Sequence, residues 1–263
     1  MKVMHRVIFN SGDRIEKVLL AAGFKTKNGF NSIDVAEDHQ SWNKIEAALV
    51  KYDKFDYQHT TTFTKAEIAS AQFFSVLSQW HHAYPEPSDD FGYMETTYKP
   101  GVGCRTCGVG LEQRQPFAIK KTPKWGRRNI AQLNWVFGEF FVSQGLKETL
   151  QQKMPELKCR EALQYRSGDV LDDIHQVVID KRVSIAVAAD AEFEVCTECG
   201  QKKYLPHTRG FFPMPKDETI TIAKSVEYFG SGGRAFQEVI ISKSVYELFS
   251  AVGVKGVEYW PCG

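Results

Sequence analysis

Two short stretches constrain this chain more than any other: "GCRTCGVG" at 103–110 and "VCTECGQKKY" at 195–204. Each carries Cys-x-x-Cys-Gly, giving the pairs Cys104/Cys107 and Cys196/Cys199. A turn of this kind holds two sulfurs close enough to share one ion. The glycine after it permits the left-handed backbone that points amides at those sulfurs. One turn is half a site, and two supply the four thiolates that structural Zn²⁺ favours. The interval 108–195 is far longer than in compact zinc ribbons, so ligation is expected to close a long insertion by tying its two ends together. Such a site contributes directly to folding, because the unfolded chain has no preformed cage.

Two alternatives stay open. A redox Cys-x-x-Cys normally opens a helix just after a strand. Here "YKPGVG" precedes the first pair and "GVGLEQRQP" follows it, a poor helix opening. A catalytic zinc keeps three protein ligands and one open position, whereas four cysteines close the shell. The expectation is a structural Zn²⁺ on Cys104, Cys107, Cys196 and Cys199, against redox or unrelated buried thiols. Cys159 and Cys262 have no partner motif and read as small buried hydrophobes.

Composition supports metal over disulfides. The 263 residues are 43% hydrophobic, enough for one large domain or two small ones with a core of their own. The N-terminus "MKVMHRVIFNSGDRIEK" has no apolar stretch of signal-peptide length, and no run approaches the roughly eighteen apolar residues of a membrane span. A cytoplasmic location without membrane contact is therefore expected, where thiols stay reduced and six cysteines point to metal or chemistry. Lys+Arg total 33 against Asp+Glu 32, so no global field draws the chain to nucleic acid.

Periodicity predicts an α+β chain of mixed or antiparallel sheets with flanking helices and a zinc-ribbon-like Cys₄ knuckle site. "VMHRVIFN" reads as a strand, and the helix after it faces inward with Ile15, Val18, Leu19 and Ala22 before Gly23 stops it. A second helix starts at Ser41, with Trp42, Ile45 and Leu49 at helical spacing. "TKAEIASAQFFSVLSQWHH" predicts a third, opened by a Thr64–Glu67 capping box and striped by Ala69, Phe73, Val76, Leu77 and Trp80. "YPEPSDD" then breaks the pattern and marks a boundary, giving an N-terminal α/β segment at 1–85 and the zinc-binding α+β domain at 86–263. Beyond it, Ser143 caps a helix through Leu150, and "HQVVID", "VSIAVAA", "ITIAKSVEYF" and "AFQEVIIS" read as strands. "SKSVYELFSAVG" is a helix and "VKGVEYW" a closing strand.

Other candidates are weaker. "KKTPKWGRR" groups Lys120, Lys121, Lys124, Arg127 and Arg128 around Trp125, a pattern that can hold phosphates and stack a base. Its bland counterpart is a solvated loop with Trp125 tucked into the core. "GSGGR" at 230–234 lacks the Lys-Ser/Thr of a P-loop and reads as a turn between strands. His81 and His82 are placed at a helix end, and His207 near the second cysteine pair but outside its ligand set. No nucleophile elbow, zinc-protease motif or kinase signature is present, so no catalytic residue and no enzyme activity are expected.

The paired "CRTCG" and "CTECG", with "QLNWVFGEFFVS" after the first and "RGFFP" and "YFGSGGRAF" after the second, resemble bacterial double-CXXCG motif proteins over about residues 84 to 263. The tail "VIISKSVYELFSAVGVKGVEYWP" resembles the closing segment of immunity proteins from polymorphic toxin systems. The resemblance implies a non-enzymatic protein that binds and neutralises a cognate bacterial toxin, with zinc as scaffold. The alternative is a zinc-containing nucleic-acid-binding protein.

Overall fold

A computed structural model describes residues 1–52 and 57–263. They fall into two compact units, 1–70 with 207–211, and 71–206 with 212–263.

The first unit is built around β1 (Lys2–Asn10), which alternates so that His5, Val7 and Phe9 face inward. After α1 (Arg14–Ala21) come β2 (Phe30–Ala36), α2 (Trp42–Lys51), β3 (Tyr57–Thr62) and α3 (Lys65–Ser70). The sheet order is β2-β1-β3, antiparallel throughout. Ile15 and Leu19 of α1 and Trp42, Ile45 and Leu49 of α2 close over Val7, Phe9 and Val35, as their spacing predicts. His5 is accommodated in this core by stacking on Trp42 at 3.8 Å between ring centres, with Nε2 3.4 Å from Glu37. Gly23 ends α1 at φ +89°, and Ser41 stands immediately before α2.

The third helix is the main departure from expectation. The capping box forms: the Thr64 N–H donates to Glu67 Oε2 at 2.8 Å, and the Glu67 N–H to Thr64 Oγ1 at 3.2 Å. The helix it opens nevertheless stops at Ser70, and residues 73–78 are β4 (Phe73–Ser78). Phe73, Phe74, Ser75 and Val76 are buried in sequence, because β4 lies inside a sheet whose two faces are both covered. A strand buried on both sides reads as a continuous apolar run, and such a run satisfies i, i+3, i+4 spacing by coincidence. His81 and His82 accordingly follow a strand rather than end a helix, and the His82 N–H donates to the Gln132 carbonyl at 2.8 Å. Thr64→Ala removes one side of the capping box and is expected to cost about 1 kcal/mol in urea unfolding.

The second unit continues with α4 (Tyr93–Thr97), β5 (Ala118–Ile119), β6 (Ile130–Leu133), β7 (Val136–Val142), α5 (Gln144–Lys153), β8 (Lys158–Gln164) and β9 (Val170–Val178). Then come β10 (Arg182–Val183), β11 (Phe193–Val195), β12 (Lys202–Tyr204), β13 (Ile222–Ser225), β14 (Val239–Ser242), α6 (Lys243–Ala251) and β15 (Val257–Pro261). One five-stranded sheet runs β10-β13-β14-β4-β15 and another β5-β8-β9-β7-β6, while β11 and β12 form a separate hairpin. Among the described strands β10–β13 and β5–β8 pair in parallel and the others antiparallel, so the fold is α+β with antiparallel and mixed sheets. Ser143 Oγ caps α5 by accepting from the Leu146 N–H at 3.3 Å. Of "VSIAVAA" only Val183 lies in a strand; Ile185 makes an isolated bridge to Pro215.

Two placements refine the expected organisation. The units divide after Ser70 rather than at "YPEPSDD", because β4, which precedes that stretch, pairs with β14 and β15. The interval 108–195 contains the whole of the β5-β8-β9-β7-β6 sheet, yet β10 from the same interval joins the other sheet. The interval is therefore woven into the second unit. Among the described residues no helix is long and apolar enough to cross a membrane.

Candidate metal centre

The two cysteine turns have the same backbone. In the first, the Cys104 N–H donates to the Val109 carbonyl at 2.8 Å and the Gly108 N–H to the Cys104 carbonyl at 2.7 Å. In the second, the Cys196 N–H donates to the Gln201 carbonyl at 2.9 Å and the Gly200 N–H to the Cys196 carbonyl at 2.9 Å. Gly108 and Gly200 stand at φ +85° and +68°, the left-handed conformation for which glycine follows the second cysteine. The second turn is the tip of the β11–β12 hairpin, so strand pairing presents it; the first is a loop running from α4 toward β5.

The turns converge. Cys104 Sγ lies 3.9 Å from Cys196 Sγ, and Cys107 Sγ 3.7 Å from Cys199 Sγ. All four sulfurs fall within 4.8 Å of one another, so the cluster can hold a metal ion. These separations are far above the roughly 2.05 Å of a disulfide. A tetrahedron with metal–thiolate bonds of about 2.3 Å has sulfur–sulfur edges of about 3.8 Å, which these two separations bracket. Cys104, Cys107 and Cys196 are buried and Cys199 is exposed, so the cage is walled by protein on one side.

The electrostatics suit thiolates. The N–H groups of Cys199 and Glu198 point at Cys196 Sγ and pull its pKa down to about 6. The Val109 N–H serves Cys107 and the Gln201 N–H serves Cys199 in the corresponding way. Burial dominates at Cys107 and holds its thiol up at about 12 in the absence of a cation. A buried thiol beside three others ionises readily only when a positive charge arrives, which is what a bound metal supplies. Apolar packing from Val109, Tyr228 and Ala235 excludes water from the buried side.

The loop "GSGGR" is a turn, as expected, and it braces the hairpin. The Gly232 N–H donates to Glu194 Oε2 at 2.8 Å, and buried Lys203 donates to the Gly232 carbonyl. Glu194 and Lys203 face each other across β11–β12, so the loop is anchored to the strands that carry Cys196 and Cys199.

The basic run is spread along a surface loop. Lys120 pairs with Glu86 at 2.8 Å, while Lys121, Lys124, Arg127 and Arg128 are exposed. Trp125 is half-buried against the core of the β5-β8-β9-β7-β6 sheet, its Nε1 donating to Asp173 at 3.1 Å. Arg128 sits over the Trp80 ring, 5.1 Å from its centre. His207 belongs to the first compact unit, whereas all four cysteines belong to the second. Cys262 is buried and its thiol pushed up to about 12 by that burial; Cys159 is half-buried in β8.

Sequence pattern alone did not reveal an aromatic recess beside the first cysteine turn, lined by Phe91, Trp135 and Arg234 among others. Its rim depends on left-handed backbone at two non-glycine residues, which no motif announces. No protein-family model and no curated protein matches this chain.

Proposed function

We propose that this chain is a non-enzymatic, immunity-type binding protein that captures and neutralises a cognate bacterial toxin in the cytoplasm, on a scaffold held by one structural Zn²⁺. The observation that carries the zinc assignment is the convergence of four sulfurs from two turns of identical backbone. Four thiolates fill a tetrahedral zinc shell, leaving no position for substrate or water. The cage therefore serves as a fastener rather than a reaction centre.

The toxin-binding role is supported by the resemblance of the paired motifs and of the tail to double-CXXCG and immunity proteins. That tail is β14, α6 and β15. Its strands flank β4, and Phe74 of β4 stacks on Tyr246 of α6 at 4.3 Å, so the segment is an integral part of the second unit. Co-expression with candidate toxins, beginning with any encoded next to this chain, is expected to restore growth of a sensitive host and to yield a complex that co-purifies. Continued killing with the chain soluble and folded would overturn the toxin reading while leaving the metal site standing.

A further inference from the structure

Beside the first cysteine turn, the second unit encloses a recess of about 440 Å³. That volume matches sites for small molecules. Arg105 and Thr106, the two residues between Cys104 and Cys107, form part of its wall.

The rim is aromatic and is held there at a cost. Phe91 and Trp135 adopt φ +56° and +65°, left-handed backbone that bulky side chains rarely take. Such conformations cost on the order of 1–3 kcal/mol each and concentrate at ligand-binding sites. Trp135 occupies the second position of the two-residue turn between β6 and β7, where glycine or asparagine is the ordinary choice. The strain leaves Phe91 51% and Trp135 39% exposed, their rings 4.7 Å apart. Folding alone does not favour displaying two aromatic rings in this way.

The charges in the recess are unequal. Deep in it, Lys224 is ion-paired with Glu139, whose other oxygen accepts from Gln176 Nε2 at 3.1 Å, so these charges cancel. Arg105 pairs with Glu95 at 3.0 Å. Arg234 lies 4.3 Å over the Phe137 ring, and among the described residues it has no carboxylate partner. The wall therefore combines flat aromatic faces with an uncompensated, exposed guanidinium, a group suited to planar two-pronged contact with carboxylate or phosphate.

We propose that this recess binds a small planar aromatic anion, its ring against Trp135 and Phe91 and its carboxylate or phosphate against Arg234. The proposal is independent of the toxin-binding reading. An aromatic carboxylate and a nucleoside monophosphate share this chemistry, and a direct test separates them. Saturation-transfer NMR and calorimetry on the metal-loaded full chain would use 2-naphthoate, AMP and the cation tryptamine. At least one anion is expected to bind saturably, its identity naming the source, and tryptamine at least about tenfold more weakly. Arg234→Glu, a surface change, and Trp135→Ala should each weaken that binding about tenfold or more, with the Arg234→Glu melting temperature unchanged. Absence of saturable binding by both anions, tryptamine binding as tightly as they do, or full affinity in folded Arg234→Glu would overturn the proposal.

Discussion

Replacing Cys107 by serine will lower the melting temperature by about 10 °C or more and abolish stoichiometric metal binding. Cys107 is 1% exposed, the most deeply buried of the four, and its sulfur lies 3.7 Å from that of Cys199. Serine keeps the size but not the soft thiolate, so the ion loses a ligand and the remaining sulfurs lose the charge that keeps them ionised. Structural zinc contributes on the order of 10 kcal/mol in small domains, and losing one ligand forfeits a large part of it. A loss of about 3–5 kcal/mol corresponds to roughly 10 °C in a chain of this length. Elemental analysis should find about one zinc per wild-type chain and almost none in Cys107→Ser, and a strong chelator should reproduce the destabilisation. Cys159→Ser, outside the cluster, is the matched control and should melt within a few degrees of wild type. Wild-type protein free of metal, with Cys107→Ser melting normally, would end the fastener argument.

Legibility followed the range of the physical signal. The cysteine turns were readable because their chemistry is local: four residues and a glycine specify sulfur geometry, φ and hydrogen bonding together. Helices α1, α5 and α6 were readable for a similar reason, each having a stop or a cap within a turn of its amphipathic stripe, whereas α2 was readable from the spacing of Trp42, Ile45 and Leu49 alone. The failure at β4 was a failure of the same local logic. Thr64 and Glu67 truthfully announced a helix start, but nothing nearby announces its end at Ser70. What converts Phe73–Ser78 to strand is pairing with β14 and β15, more than 150 residues away in sequence. Long-range pairing overrides local preference when both faces of the strand are buried.

The aromatic recess was illegible for a different reason. Phe91, Trp135 and Arg234 come from three separated loops, and two of them are useful only because their backbones are left-handed. A tryptophan after Asn134 reads as a core residue in any pattern analysis; its exposure is a property of the turn. His81 and His82 were misplaced simply because the helix assigned to them was a strand. The site's bracing was equally hidden: Lys203 is buried beside Glu194, a carboxylate 3.8 Å away, and the loop carbonyl of Gly232.

Glu238→Gln will stabilise the protein in mildly alkaline buffer and leave it almost unchanged in acid. Glu238 stands just before β14, almost wholly buried, with Ser75 Oγ donating to Oε2 at 3.1 Å. Burial pushes its carboxyl up to about 7, the Ser75 hydroxyl only partly opposing the shift. The nearby Cys262 thiol, itself buried, offers no compensating positive charge. A folded-state value above the unfolded one means that the native protein holds this proton more tightly. Stability from Glu238 is thus fully present below about pH 4.5 and declines as pH rises toward about 7, where the native carboxyl also ionises. Over that window the loss amounts to about 3 kcal/mol. Glutamine keeps an acceptor for Ser75 but carries no charge to bury, so the variant escapes the decline. Urea unfolding of both proteins at about pH 5 and about pH 8 should give a difference of about 1 kcal/mol or less at the first and about 3 kcal/mol in favour of the variant at the second. Taking the difference cancels the thiols and histidines that titrate identically in both chains. A gap of the same size at both pH values would mean that Glu238 is already ionised in the folded protein at acid pH, and that its burial is compensated by a charge the geometry does not contain.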